Sequence, residues 1–191
     1  ILGDGYLGQM TGKVRMPRTM RRPGIPTWAV WGDHSHRGNL MCSIDLYEPD
    51  LEAHNEHINR KYAAMTAAEQ RADCFRTDDA EVLLIATNTP AQMTKGAVEE
   101  LRRQGIKAGL FRPITLWPFP ITQLLPLLPR ARRIVVVEAS AGQLEDEVRL
   151  ALSHADVHAP PPFAHVRRMG GILPQLKEIV DAVMTLEEAL V

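Results

Sequence analysis

Residues 81–113, EVLLIATNTPAQMTKGAVEELRRQGIKAGLFRP, decide the fold. The apolar run of 81–87 is nearly continuous, as expected of a strand covered on both faces, and it stops at Thr89-Pro90. Thr89 suits a helix N-cap, Pro90 the first helical position and Gly105 the residue after the last turn, so a helix is predicted from Thr89 to Gln104. A second apolar strand, 107–111, follows at once. Strand, helix and strand with near-continuous apolar strands imply a parallel sheet.

Working outward, the same alternation continues to the end of the chain. RIVVVEA (133–139) reads as a strand, 143–154 as a helix, 163–167 as a short strand and Pro174 to about Met184 as a last helix. The C-terminal part, 78–191, is therefore expected to be a three-layer α/β domain with a mostly parallel sheet. Upstream the pattern changes. Leu51, Ile58, Tyr62 and Met65 recur at helical spacing, and Asp50 can cap the first turn, so a helix is predicted over 51–71. TWAVW (27–31) and LMCSIDLY (40–47) look strand-like, which makes 27–77 a connector with strands and one helix. Residues 9–26 carry Pro17, Pro23, Pro26, Gly12 and Gly24 with no apolar period, so no helix longer than about two turns fits. Lys13, Arg15, Arg18, Arg21 and Arg22 stand in that stretch without one acid, which suits a phosphate, an acidic partner surface or simple solvation.

Bulk properties set outer limits. With 191 residues, 45% of them hydrophobic, the chain can bury a substantial core. A net charge of −1 argues against a nucleic-acid footprint for the whole chain. Cys42 and Cys74 are far apart and no C-x-x-C occurs, which argues against a cluster, a zinc knuckle or a secreted disulfide framework and makes a cytoplasmic location the expectation. No apolar run approaches the ~20 residues that span a bilayer, and no leader is visible. The first residue is Ile, following no Met, and the chain reads as N-terminally incomplete.

In open α/β sheets ligands sit at the carboxyl ends of the strands, here ATNTP (86–90), FRPITLWPFP (111–120) and EASAGQLEDE (138–147). The first offers hydroxyls and an amide at a helix start, for an anion or merely for capping. In the third, Glu145, Asp146 and Glu147 already answer the helix dipole and would repel a phosphate. The middle loop is the most unusual. Arg112, Trp117 and Phe119 among Pro113, Pro118 and Pro120 suit a subunit interface, because Arg and Trp anchor buried contacts and proline lowers the cost of ordering. The alternative is a turn that packs its own aromatics on the sheet. His34-x-His36 and His54-x-x-His57 lack a carboxylate or thiol fixed by spacing to complete a tetrahedron, so no metal site is expected. There is no G-x-S-x-G and no P-loop. No catalytic, cofactor-binding or metal residue is assigned to this chain.

The opening ILGDGYLGQM places Gly3, Gly5 and Gly8 at the G-x-G-x-x-G spacing, and it contains Gly-Asp-Gly, the start of a thiamine-diphosphate motif. A dinucleotide turn needs a following helix, which the prolines deny. A thiamine motif needs an Asn roughly 25 to 30 residues on, within a strand–helix unit; Asn39 is too far. The glycines are then expected to let a last strand turn tightly and leave its domain.

With the residues as warrant, LGDGYLGQMTGKVRMP (2–17), IDLYEPDLEAHNEHINRKYAAM (44–65), LLIATNT (83–89), GLFRPITLWPFP (109–120), VVVEASAGQLEDEVRLA (135–151) and GGILP (170–174) resemble the C-terminal half of the α subunit of 2-oxoacid:ferredoxin oxidoreductases, especially the 2-oxoisovalerate, branched-chain type. They span almost the whole chain in family order. The resemblance implies a thiamine-diphosphate enzyme of several subunits that converts a 2-oxoacid, coenzyme A and oxidised ferredoxin to acyl-CoA, CO2 and reduced ferredoxin. It implies that 1–26 ends a pyrimidine-binding domain and that 78–191 is a transketolase C-terminal-like domain. Thiamine diphosphate, magnesium and iron–sulfur clusters would lie on other segments or on partner β and γ/δ subunits of an oligomer that meets ferredoxin. No nucleic-acid or membrane partner is expected. The family's catalytic threonine and its aminopyrimidine-activating acid would precede Ile1, so the chain alone is expected to be inactive. Two alternatives share the fold class: the C-terminal domain of a 2-oxoacid dehydrogenase β chain or deoxyxylulose-phosphate synthase, and a non-enzymatic flavodoxin-like binding module. RPITLWPFP favours the ferredoxin-linked family.

Overall fold

Two unbroken apolar runs form the centre of the sheet. In the computed structural model, which describes residues 2–3, 5–9, 11–13, 15–16, 18, 24–42 and 44–188, they are β2 (Val82–Ala86) and β4 (Arg133–Glu138). They lie side by side in parallel register, Val82 opposite Arg133 and Ala86 opposite Val137. β3 (Ala108–Pro113) joins the other side of β2 in parallel, and β5 (Phe163–Arg167) joins β4 in parallel. A short antiparallel strand, β1 (Ala72–Phe75), closes the β3 edge, so the order is β1-β3-β2-β4-β5.

The alternation along β2 explains the three layers. Val82, Leu84 and Ala86 face one core, shared with Val98 and Leu101 of α2 (Asn88–Arg103) and Ile179 and Val183 of α5 (Leu176–Glu188). Leu83 and Ile85 face the other, shared with Phe111, with Leu124 of the short α3 (Ile121–Leu124) and with Val148 and Leu152 of α4 (Gln143–His154). Successive side chains of a strand point to opposite faces, so one apolar run serves both cores.

Two units divide the chain, 64–191 together with 1–8, and Gln9–Ala63. The first holds the sheet. The second holds no strand among its described residues; its regular structure is a single 3-10 turn, His34–His36, and most of α1 (Glu48–Ala68). This corrects the expectation of strands at 27–31 and 40–47. Trp28, Trp31, Leu40, Met41 and Leu46 are exposed, and an apolar stretch with no neighbouring strand to satisfy its backbone does not become one. α1 begins at Glu48, so Asp50 lies in its first turn and not before it, and none of its residues is buried.

The central helix is where the sequence places it, with one shift. Its N-cap is Thr87, and Thr89 and Pro90 lie inside the first turn. Its end follows the glycine rule: Gly105 at φ +86° lets its own N–H reach Arg102 O and that of Ile106 reach Leu101 O, the pair of bonds that satisfies the last carbonyls. The opening glycines differ from expectation. The described residues form a 3-10 turn at Leu7–Gln9, Gly3, Gly5 and Gly8 have no positive φ, and a Cβ at each would meet nothing within 4 Å. No tight turn there requires glycine. Pro17, Pro23, Arg21 and Arg22 of the connector, and Ile1, lie outside the described residues.

Candidate functional site

Three loops leave the carboxyl ends of the parallel strands, and each is held by different chemistry. The loop after β3 is tied to the segment preceding β1. Ile114 and Thr115 both donate their N–H to Arg71 O, at 2.9 and 3.2 Å. Gln70 Oε1 accepts from the N–H and hydroxyl of Thr122, while Gln123 donates to Gln70 O and accepts from Ala72 N. Two glutamines thus staple a proline-rich loop through its backbone. Nothing in their spacing announces the role, since they lie 53 residues apart.

The staple fixes a shallow groove of about 280 Å³ between this loop and α4, floored by Phe119, Ile121 and Ala151 and rimmed by Leu116, Trp117 and Leu150. The rim is apolar and open to solvent: Leu116, Trp117 and Leu150 are 46, 55 and 50% exposed. Such a cluster of large apolar side chains on a polar surface is characteristic of contact sites. Of the three residues expected at a subunit interface, Trp117 stands on the rim and Arg112 lies half-exposed beside Asp73, 3.7 Å away. Phe119 is a correction. It is 8% exposed and packs on Phe111 with ring centroids 6.4 Å apart, so it belongs to the chain's own core and contributes to the groove only as floor. The peptide bond between Trp117 and Pro118 is cis.

The loops after β2 and β4 leave the sheet where strand order reverses, the usual place for a ligand crevice. A crevice of about 230 Å³ is indeed present, lined by Thr87, Asn88, Pro90, Glu138 and Ser140 among others. Its two helix starts differ. At α2 the Thr87 hydroxyl donates to Pro113 O, 3.0 Å away, and so does not cap the helix, while Asn88 adopts φ +51°. At α4 a carboxylate is already in place. Glu138, 3% exposed, accepts from Leu144 N at 3.0 Å and from the Ser140 hydroxyl, and thereby caps a helix that starts five residues later. Glu145 in the same first turn is also buried. It accepts two bonds from Arg149, at 2.6 and 2.9 Å, and one from Arg167. Burial pushes the Glu145 carboxyl up, and the hydrogen bonds from Arg149 and Arg167 outweigh it, so the net displacement is downward. Gly142 leaves room for this network: at φ +127°, a Cβ would lie 3.0 Å from the Arg167 guanidinium.

The α4 helix start does not suit the diphosphate of thiamine diphosphate. A diphosphate there would meet Glu138 and Glu145, both buried and both already bonded. Among the described residues no three His, Cys, Asp or Glu are grouped to hold a metal ion. His36 bonds Asp33, which its ring and the Ser35 hydroxyl hold down at a pKa of about 2, and His54 and His57 are exposed on α1. Cys42 and Cys74 are free thiols. No helix among the described residues is long and apolar enough to cross a membrane.

The four parallel strands, β2 to β5, and helices α2 to α4 lie within a known domain. Residues 80–179, more than half of the chain, match the family model of pyruvate:ferredoxin oxidoreductase core domain II. The chain belongs to the 2-oxoacid:ferredoxin oxidoreductase family. Within this family, a ketoisovalerate oxidoreductase subunit, VorB, of Methanothermobacter thermautotrophicus (strain Delta H) is 36% identical over 96% of the chain and 51% of the relative. A 2-oxoglutarate synthase subunit, KorA, of the same organism is 31% identical over 96% of the chain and 55% of the relative. The chain spans about half the length of the curated relatives it matches. Among solved structures, a 2-oxoglutarate:ferredoxin oxidoreductase from Magnetococcus marinus superposes with a TM-score of 0.60 at 19% identity, over 74% of this chain and 24% of that one. A split-gene transketolase reaches 0.51 at 19% identity over 60% and 40%, so the oxidoreductase domain shares its fold with transketolase. The family match of 80–179 includes both the Trp117 groove loop and the Glu138–Glu145 helix start.

Proposed function

We propose that this chain is the C-terminal portion of an α subunit of a thiamine-diphosphate-dependent 2-oxoacid:ferredoxin oxidoreductase, serving subunit assembly and inactive alone. The complex would convert a 2-oxoacid, coenzyme A and oxidised ferredoxin to acyl-CoA, CO2 and reduced ferredoxin. Thiamine diphosphate, magnesium and the iron–sulfur clusters would be held by other segments or by β and γ/δ partner subunits, in keeping with a helix start here that carries two buried carboxylates. A branched 2-oxoacid is the favoured substrate, supported by the similarity to a ketoisovalerate oxidoreductase subunit over 96% of the chain.

The observation that carries the assembly role is the apolar rim of Leu116, Trp117 and Leu150 over a floor of buried Phe119 and partly buried Ile121 and Ala151. Aromatic anchors on a rigid platform lose little entropy on docking. The experiment is co-purification of the chain with the cluster-bearing partner subunits, in the native form and as Trp117→Glu/Leu116→Ser. The variant is expected to keep the native far-UV spectrum and to lose the partner. Retention of the partner at native stoichiometry would remove the rim from the interface.

A further inference from the structure

The loop that carries Leu116 and Trp117 stands on two feet, and both rest on the tripeptide Gln70-Arg71-Ala72. The first foot needs no glutamine: Ile114 and Thr115 donate to Arg71 O, and the Thr115 hydroxyl accepts from Arg71 N at 3.0 Å. The second foot is made by side chains. Thr122 donates its N–H and its hydroxyl to Gln70 Oε1, at 3.1 and 2.9 Å, while Gln123 donates to Gln70 O at 3.1 Å and accepts from Ala72 N at 3.0 Å. Each of these bonds passes through a glutamine. Gln70 also donates to Thr66 O, 3.0 Å away in the last turn of α1.

The glutamines are not needed to seat β1. That strand pairs with β3 over its whole length, from Ala72 opposite Pro113 to Phe75 opposite Leu110, and the bonds to Arg71 O extend the same edge. What the second foot adds is the position of the loop between the feet. One wall of the groove, Leu116 and Trp117, lies on that loop, and the other, Leu150 and Ala151, lies on α4. The loop therefore sets the width of the groove. Its two rim side chains are about half exposed, so their place is set largely by the backbone beneath them.

We infer that Gln70 and Gln123 are positioning residues of this docking surface: they close the second foot before a partner arrives, and the rate at which the partner binds depends on them. The inference rests on the assembly role proposed for the rim. Gln123 does not line the groove, so its effect on a partner passes through the loop. A surface that holds its binding arrangement only part of the time binds more weakly by that fraction, and the deficit falls on association. Ordering the loop in advance also removes the entropy cost of ordering it on docking.

Binding kinetics of the cluster-bearing partner subunits to the immobilised full chain test the inference, with Gln123→Met, Gln70→Met and the double variant. Methionine keeps the length of the side chain and removes both donor and acceptor. Gln123→Met is expected to slow association about tenfold and to leave dissociation within about twofold of native, because the contacts of the finished complex are unchanged. The double variant is expected to be little slower than either single one, since a foot already open cannot be opened again. Amide exchange of Ala72 and Thr122 is expected to quicken in the variants while that of β2 and β4 stays native, a pattern that general loss of the fold would not give. Should Gln123→Met not fold, Gln123→Glu keeps the acceptor for Ala72 N and loses the donor to Gln70 O, and slower association is expected of it too. Natively folded variants that associate at the native rate, or whose loss lies in dissociation, overturn the inference. The Trp117→Glu/Leu116→Ser chain, measured beside them, separates the two claims. If it alone loses the partner, the assembly role stands and the positioning role falls; if it too binds as the native chain does, both fall.

Discussion

Replacing Arg167 by Met tests whether the helix start beside the switch-point crevice is held by its buried charges. Arg167 donates to Glu145, lies 3.7 Å from Glu138, and is itself 29% exposed. The substitution removes one charge-assisted bond, worth about 1.5–3 kcal/mol, and leaves two carboxylates in the interior with fewer cations. Arg149 keeps both of its bonds to Glu145, and partial exposure of Arg167 lets water replace some of the loss, so the expected cost is about 2–3 kcal/mol rather than the larger figure for an isolated buried charge. For a chain of this size that corresponds to a melting temperature lower by about 6–9 °C. The cost should also depend on pH in a definite direction. In the native chain the folded pKa of Glu145 lies below its unfolded value, so its contribution is present above the unfolded carboxyl range and is lost as pH falls through the folded pKa. In the variant burial meets less opposition and that pKa rises, so the gap between the two proteins narrows as pH falls toward about 4. Denaturant unfolding at pH 7 and at lower pH reads both effects. A loss below about 1 kcal/mol, or one that is the same at every pH, refutes the reasoning.

Three further outcomes follow from the geometry. Gly109→Ala in β3 would place a Cβ 2.6 Å from Arg76 O and 2.8 Å from the Ala80 Cβ, and since backbone cannot yield cheaply there, a loss of about 2–3 kcal/mol is expected in urea unfolding. Gly142→Ala combines φ +127° with a contact at the Arg167 guanidinium, and a loss of about 1–3 kcal/mol is expected, reduced when Arg167→Met is already present. Carboxyl NMR should find Asp33 titrating at about 2 in the native chain and nearer the ordinary range in His36→Ala, because the hydrogen bond from His36 is the main cause of its depression; an unchanged titration would remove that cause.

The sheet was legible because its signals are local. Unbroken apolar runs at 82–86 and 134–137, and a glycine placed to end α2, need no knowledge of what packs on them. The strands expected at 27–31 and 40–47 fail for the converse reason: alternation describes a surface that suits a sheet, but a strand exists only beside another. β1 escapes the sequence reading because Ala72–Phe75 is four residues long with a polar centre, and its pairing with β3 comes from 35 to 41 residues downstream in the register Phe75 to Leu110 and Ala72 to Pro113. At the candidate site, the groove loop stands out in sequence through Trp117 and its prolines. Gln70 and Gln123 do not, since their bonds run to backbone and any polar side chain of similar length reads alike. The acidic start of α4 was legible as unsuited to phosphate, whereas the partnership of Glu145 with Arg167, 22 residues away, emerges only when β5 is laid beside β4.

The most direct test of the central claim is 2-oxoisovalerate- and coenzyme A-dependent ferredoxin reduction, measured in parallel for the purified chain supplied with thiamine diphosphate and magnesium and for the chain assembled with the remaining subunit segments and the cluster-bearing partners. Reduction by the assembled complex alone, lost when the chain carries Trp117→Glu/Leu116→Ser, is the expected result. Turnover by the chain by itself, or a fully active complex that forms without it, would contradict the account.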